Sequence, residues 1–307
     1  MIRRGFTLLE IMVSLMIFSV VSLALIGVLN AAVKLFRAGE SARAANDETI
    51  ATLAQLDDDL KRMVPAVDNG FLFTKTKSNN GHAAGNMVLA FKIRNPEGGT
   101  ISETGIGARL IVVWWVDDQG YLNRKSDFAA DSGNSQTTEL LVTTSIYGST
   151  QHVANGCLYF GVDLSTDTTP RTDLAWNPNI PAAGTTFCTE PQNPGAIPDP
   201  FPTAIRITAV LTGGSRNVIT GRAVRAENGS DIRITGVGQV PVTTGAMARV
   251  GDSQSSDVEW VTYTSFAHGV LACSAGRAQR RTTQIGAVAG LDVTFAPSYS
   301  LVRTLPR

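Results

Sequence analysis

The chain has 307 residues, of which 43% are hydrophobic and 17% charged, so it can bury a substantial core. Its 26 basic and 26 acidic residues give no formal net charge, which excludes a general electrostatic attraction to nucleic acid or anionic lipid. We therefore expect no nucleic-acid partner.

The first ten residues, MIRRGFTLLE, join a short basic leader to an apolar stretch at residues 11–29. With its flanks, over 6–33, this stretch is long enough to cross a bilayer as a helix, which takes about 20 apolar residues. It exceeds the roughly 7–15 apolar residues of a secretory signal, and no small-residue cleavage site follows it. Hydropathy alone predicts a single-pass membrane anchor.

Glu10 lies at the start of the apolar stretch, where a carboxylate is costly unless it has a partner. The nearest cations are Arg3 and Arg4 on the leader, and Glu10 either pairs weakly with them or reaches the lipid headgroups. Basic residues flank the stretch on both sides, so the charges do not decide its orientation.

Residues 4–10, RGFTLLE, resemble the signal of type IV prepilins and type II secretion pseudopilins. The resemblance implies that prepilin peptidase cuts between Gly5 and Phe6 and methylates Phe6. It implies that the Glu10 carboxylate then meets the N-terminal ammonium of a neighbouring filament subunit, since paired charges survive in an apolar bundle better than single ones. It also places the leader, residues 1–5, in the cytoplasm of a bacterium, with one span of the inner membrane and a globular domain in the periplasm or in a filament.

The helical pattern continues beyond the membrane until Pro65, whose ring ends a helix. Apolar residues recur at helical spacing, with charged residues between them; they are Leu53, Leu56, Leu60, Met63 and Val64. We predict one helix over about 6–64, with a transmembrane part at 6–33 and an amphipathic part at 34–64. Asp57, Asp58 and Asp59 indicate either a cation site or a solvated helix face, and we expect the solvated face.

From residue 70 onward the apolar residues alternate as they do in strands. The predicted strands cover residues 87–93, 110–116, 121–124, 138–144, 157–164, 204–211, 231–235, 258–264 and 291–295. We expect no regular structure in the Pro-rich connector 177–202. The fold class is therefore α+β, with a long N-terminal helix, transmembrane and then amphipathic, packed on a large antiparallel β domain. Residues 65–307 form one such domain or two β units divided near 177–202; a type IV pilin-like fold is what the resemblance implies.

The three cysteines, Cys157, Cys188 and Cys273, allow at most one internal disulfide, and the sequence does not determine which. Cys157 and Cys188 are the nearest pair and would lie in an oxidising compartment, while three unpaired thiols are the alternative. A cluster at Arg277, Arg280 and Arg281 is either a polyanion site or, as we expect, an exposed loop or subunit contact.

No motif for catalysis or cofactor binding is present in the sequence. The histidines His82, His152 and His268 lie in unrelated contexts, and HExxH, Cys-x-x-Cys and Gly-x-Ser-x-Gly are absent. We therefore expect no enzyme activity and no cofactor, and nothing in the sequence supports a calcium site. A membrane-anchored hydrolase is a remote alternative.

Downstream segments resemble minor pseudopilin J and minor pilin W. The similar segments are a strand–turn–Gly-x-Leu-x-Arg hairpin at 112–124 and the segments 154–160, 173–176 and 201–208. After about Gly213 the chain extends well beyond a typical J domain. The resemblance implies a minor subunit that helps to initiate a type II secretion pseudopilus or a type IV pilus.

The partners that this resemblance implies are prepilin peptidase, sister minor subunits near the filament tip, major pilins or pseudopilins, and the inner membrane. A secreted substrate protein joins them if the filament is a pseudopilus. The alternative is a tip adhesin or ligand-binding module on a pilin stem, with the C-terminal extension as the binding region.

Overall fold

The computed structural model describes residues 8–68, 70–76, 85–95, 109–128, 150–166, 186–189, 199–212, 219–227, 230–237, 240, 246–251, 258–273, 277–280, 282, 284–286, 288–296 and 298–306. Within these ranges, one long helix precedes sixteen strands, which form three antiparallel sheets. The predicted α+β class, a long N-terminal helix packed on antiparallel sheets, is confirmed.

Helix α1 covers Leu8–Lys61, a length of 54 residues or about 80 Å at 1.5 Å per residue. It ends before the predicted limit at residue 64, because the chain there joins the edge of a strand. The Val64 amide donates a hydrogen bond to the Lys92 carbonyl at 2.9 Å. Pro65 follows directly and could not have continued the helical hydrogen bonding.

The first sheet has six strands in the order β5-β4-β3-β2-β1-β7. They are β1 Leu72–Thr76, β2 Met87–Arg94, β3 Arg109–Val116, β4 Leu122–Phe128, β5 Gln151–Ala154 and β7 Thr186–Cys188. β3 and β4 form the predicted hairpin, and Gly120 in its turn has a φ of 81°, which strains other residues. The prediction of no regular structure in the connector 177–202 is wrong, because β7 lies there. This short strand forms because Phe187 fills the core beside β1.

The second sheet has three strands in the order β16-β8-β6. They are β6 Cys157–Ser165, β8 Ala204–Leu211 and β16 Ser298–Thr304. β16 returns from the C-terminal end of the chain and pairs with β8 from Ser298↔Val210 to Thr304↔Ala204. Residues between β8 and β16 are therefore inserted between two neighbouring strands of one sheet.

The main core lies between α1 and the first two sheets. The helix contributes Leu56, Leu60 and Met63, each at most 2% exposed, and the sheets contribute large side chains that include Trp114 and Phe160. Burying three such helix side chains stabilises the packing by about 5–9 kcal/mol. This core fixes the C-terminal part of α1 on the sheets.

The third sheet has seven strands in the order β12-β11-β15-β9-β10-β14-β13. They are β9 Ile219–Glu227, β10 Asp231–Thr235, β11 Met247–Val250, β12 Glu259–Thr262, β13 Ser265–Ala267, β14 Val270–Ala272 and β15 Asp292–Phe295. It has a separate core, to which Ile232, Val250 and Leu271 belong. The β units thus divide after β8 and not near 177–202, because the connector contributes β7 to the first sheet.

Sequence patterns located most strands that bury apolar residues in a run or at alternate positions, and they missed short or half-exposed strands. Those predicted at 204–211 and 231–235 have these bounds in the structure, and the one predicted at 138–144 lies outside the described residues. The missed strands are short, such as β5 and β13, or never fully buried along their length, such as β16. Short or half-exposed strands carry too few apolar residues to be recognised by alternation.

Candidate assembly site on the N-terminal helix

The predicted processing residues Gly5 and Phe6 lie outside the described residues, which begin at Leu8. Glu10 lies in the first turn of α1 and is exposed. The Ser14 hydroxyl donates to the Glu10 carbonyl at 2.8 Å. This serine is thus satisfied within the helix and does not oppose its insertion into an apolar medium.

The part of α1 at Leu8–Arg37 has a mean hydropathy of 2.6 and is long enough to cross a membrane. Its large apolar side chains point outward uncovered; Met16 is 71% and Phe18 70% exposed. Leaving such a side chain in water forgoes about 1.5–3 kcal/mol of burial each. An apolar surface that surrounds the whole helix is therefore suited to lipid or to other apolar helices.

A buried carboxylate joins α1 to the first sheet. Asp59 Oδ2 accepts hydrogen bonds from Trp114 Nε1 at 3.0 Å and from Arg124 Nε at 2.7 Å, while Arg124 Nη2 donates to Oδ1 at 2.8 Å. The Asp59 side chain is 4% exposed and the Arg124 side chain 17%. A two-pronged, charge-assisted contact of this kind fixes both position and rotation of the helix on β3 and β4.

The expectation of a solvated face at residues 57–59 is wrong for Asp59. Asp58 pairs with Arg62 at the surface as expected. Asp59, however, follows Leu56 by three residues and precedes Met63 by four, so helical spacing places it on the buried face. That spacing was the signal in the sequence that identifies Asp59 as an internal anchor.

Contacts at the surface extend the junction between helix and sheets. They link the Tyr299 hydroxyl to Asn46, the Asn155 amide to Glu48, the Gln55 amide to Gln151, and Arg303 to Asp57. All of them lie C-terminal to the membrane-length span. The β domain is therefore held on the last part of α1, and the apolar span extends away from it.

Arg277 and Arg280 of the predicted arginine cluster make contacts inside the β units, whereas we expected an exposed loop or a subunit contact. Arg277 Nε and Nη2 donate to the two Glu259 carboxylate oxygens at 2.6 and 2.7 Å, with side chains 8% and 0% exposed. Hydrogen bonding to Glu259 raises the pKa of the Arg277 guanidinium. Arg281 lies outside the described residues. The pair ties the segment after β14 to β12 and leaves no free cation at Arg277 for a polyanion.

Arg280 connects the second and third sheets. Its guanidinium lies 4.2 Å from the ring centre of Tyr159 in β6 and 4.2 Å from that of Trp260 in β12. Burial lowers its pKa to about 10. Cation–π contacts of this desolvated kind are worth about 2 kcal/mol. Arg280 therefore acts as a structural bridge between the two β units.

All three cysteines are buried and free, so the Cys157–Cys188 disulfide weighed from sequence is not formed. Cys157 lies in the main core, whereas Cys188 pairs with Phe73 on the opposite face of the first sheet. Burial raises the pKa of Cys157 and of Cys273 to about 12. Neutral thiols of this kind are poor nucleophiles.

The two described histidines have different surroundings. His152 contacts the Tyr121 ring at 5.2 Å between centroids, and His268 occupies a tight turn with a φ of 51°. His82 lies outside the described residues. No group of three or more His, Cys, Asp or Glu side chains suited to a metal occurs in the part of the chain that the structure describes.

Comparison with known proteins identifies the N-terminus. Residues 1–26 match the profile of the family described as the prokaryotic N-terminal methylation motif. This match covers the predicted leader, Gly5, Phe6, Glu10 and most of the apolar stretch, so the resemblance to a prepilin-type N-terminus is confirmed there. The chain thus combines a methylation motif, a membrane-length helix and a β domain fixed to that helix.

No curated protein matches the chain significantly. Among solved structures, the type IV-like pilin TTHA1219 from Thermus thermophilus is similar over 85% of this chain and 98% of its own. The sequence identity is 12% and the TM-score 0.38, values too low to carry an argument about function.

Proposed function

We propose that this chain is a minor pilin or pseudopilin, a structural subunit that helps to initiate a type IV pilus or a type II secretion pseudopilus. The observation that carries the proposal is the methylation motif at residues 1–26, followed by a helix whose membrane-length part is uncovered on all sides. A helix of this kind needs an apolar environment, which the inner membrane supplies before assembly and the helix bundle of a filament supplies afterwards.

In this proposal prepilin peptidase removes residues 1–5 and methylates Phe6. The leader lies in the cytoplasm, and the β domain lies in the periplasm or on the filament surface. Glu10 then pairs with the ammonium group of a neighbouring subunit. The pairing is favourable because an isolated carboxylate near the start of a membrane helix is costly, by up to about 2.5–3.5 kcal/mol at the bilayer centre.

The rigid junction at Asp59 supports a role in assembly. A filament subunit must transmit the position of its helix to its surface domain, so that neighbouring domains meet in register. The two-pronged contact of Asp59 with Arg124 joins the helix to the β3–β4 hairpin in this way. In the proposal, sister minor subunits near the tip contact the domain that this hairpin supports.

The size of the third sheet favours a second candidate, a tip adhesin or ligand-binding module on a pilin stem. This sheet is inserted between β8 and β16 and has a core of its own. A unit added to the filament-forming part is suited to bind a surface ligand or a secreted substrate protein. The two candidates are compatible, since a subunit can assemble through its helix and bind through its insertion.

The first experiment is intact and N-terminal peptide mass spectrometry of the full chain, expressed with and without a prepilin peptidase. The proposal expects a peptidase-dependent species that begins at methylated Phe6. A Gly5→Ala variant is the matched control and should be processed slowly or not at all. An uncut Met1 species under both conditions would overturn the assembly function and leave an anchored β protein.

A further inference from the structure

β16, Ser298–Thr304, is an edge strand with an open side. It pairs with β8 over seven residues without a register shift, and no described strand lies on its other side. Its side chains alternate between exposed and half-buried positions along the whole strand. It is therefore a long, regular edge at the surface of the second sheet.

The hydrogen-bond pattern shows which backbone groups face outward. The Leu305 amide donates to the Thr203 carbonyl at 2.9 Å, in continuation of the register that pairs Thr304 with Ala204. Bonded and outward-pointing residues alternate in an antiparallel pair. The N–H and C=O groups that point to the open side are thus those of Ser298, Ser300, Val302 and Thr304. Within the described chain, no hydrogen bond reaches these backbone groups.

The other described edges are short or covered. β5, β7, β12 and β13 have only three or four residues each. β6 is long, but its outward amides of Phe160 and Val162 donate to Asn86 Oδ1 and to Met87 Sδ. β16 contains no Pro, no Lys and no bulge, which are common protections of an edge, and its one charged residue, Arg303, is paired with Asp57.

An uncovered apolar residue of α1 lies beside this edge. Asn46 contacts Tyr299 and Asp57 contacts Arg303, so the helix runs alongside β16. Ile50 shares the helix face of Asn46 and Asp57 by helical spacing and is 56% exposed. A strand added beside β16 would place a side chain over Ile50 on the face of the sheet that carries the helix. On the opposite face, another of its side chains would lie beside Val302, which is 50% exposed.

We propose that the open edge of β16 binds an extended segment of a different protein subunit, which adds a fourth strand to the second sheet. The segment presents an apolar side chain where it passes Ile50, because the Ile50 side chain is apolar and 56% exposed. Backbone hydrogen bonds supply affinity, and the Ile50 contact supplies specificity.

A second copy of this chain is a less suitable occupant of the edge if the chain is a filament subunit, as proposed above. Two β16 strands paired about a two-fold axis would run in opposite directions, and so would the helices that lie alongside them. Subunits anchored in one membrane have parallel helices instead. The bound strand therefore comes from a sister subunit of the filament.

The test compares Ser300→Pro with Ser300→Ala in the full chain, processed and purified in detergent. Both variants lose the contact of the Ser300 and Thr208 hydroxyls, but only proline removes an outward N–H. Proline is tolerated at such edge positions. The pairing of β16 with β8 is kept, because the Ser300 N–H points away from β8. The probes are other proteins of the same genome that carry a prepilin motif. Each is co-expressed singly with this chain, and the affinity and the amide hydrogen exchange of the complex are measured.

We expect Ser300→Pro to weaken one of these complexes by about tenfold or more, because a hydrogen bond is lost and the partner's carbonyl is left unpaired. Ser300→Ala should bind with the affinity of the wild type. In the wild-type chain, complex formation should protect the Ser300 and Val302 amides from hydrogen exchange. Val302→Lys, which places a charge on the edge, should also weaken binding.

A complex that Ser300→Pro leaves intact, with residues 298–304 unprotected, would overturn this inference but not the proposed function. Self-association of the wild type that Ser300→Pro abolishes would overturn the choice of occupant. A wild-type chain that binds none of the sister subunits and is not processed would remove both proposals together.

Discussion

Removing the Asp59 carboxylate should loosen the helix from the β domain. Asp59→Ala leaves the Arg124 guanidinium and the buried Trp114 indole N–H without their shared acceptor. Breaking a buried ion pair costs about 3–5 kcal/mol. Since the Arg124 side chain keeps 17% exposure and can partly reach water, we take that range as the total loss in free energy of unfolding. For a domain of this size it corresponds to a fall in Tm of about 10 °C.

The assay is thermal unfolding of the full chain in detergent, followed by near-ultraviolet circular dichroism, with trypsin cleavage after Lys61 and Arg62 as a local readout. Asp58→Ala is the matched control, because Asp58 and Arg62 are 51% and 39% exposed. An exposed pair contributes about 0–1 kcal/mol, so this variant should unfold nearly as wild type does. Equal Tm values and cleavage rates for the two variants would refute the role assigned to Asp59.

Three further predictions concern other parts of the chain. Glu10→Ala should leave the β domain folded but reduce incorporation into filaments, and undiminished incorporation would contradict the proposed pairing. Glu259→Ala should cost about 3–5 kcal/mol and speed amide exchange at residues 277–286, whereas unchanged exchange would show that the pair with Arg277 is dispensable. The folded pKa of about 12 for Cys157 and Cys273 lies above their ordinary value of 9.0, so stability present below pH 9 should be lost as the pH rises toward 12. Urea unfolding checks this, and a Cys157→Ala variant should show a shallower loss.

Local patterns were sufficient for the elements that bury one long, regular face. The helix followed from apolar spacing and from Pro65, and the β3–β4 hairpin followed from its apolar run and its Gly-containing turn. Strands β5 and β16 could not be recognised, because their stability comes from pairing with strands that are distant along the chain. β13 has only three residues, too few for an alternating pattern.

The arginine cluster illustrates a second limit. Arg277 and Arg280 are close in sequence to Arg281, and such a run is usually exposed. Here Arg277 forms an ion pair with Glu259. Arg280 lies against the rings of Tyr159 and Trp260, which belong to two different sheets. No local pattern encodes partners of this kind, since they lie many residues away along the chain.

The sequence by itself determined the membrane-length helix, the methylation motif around Gly5 and Phe6, and the α+β class, because each depends on residues that are adjacent or periodically spaced. Only the tertiary structure decided that Asp59 pairs with Arg124 and Trp114, that the cysteines stay unpaired, and that β16 is an open edge strand of the second sheet. These features depend on which distant segments meet, and in this chain the return of the C-terminus to β8 decides it.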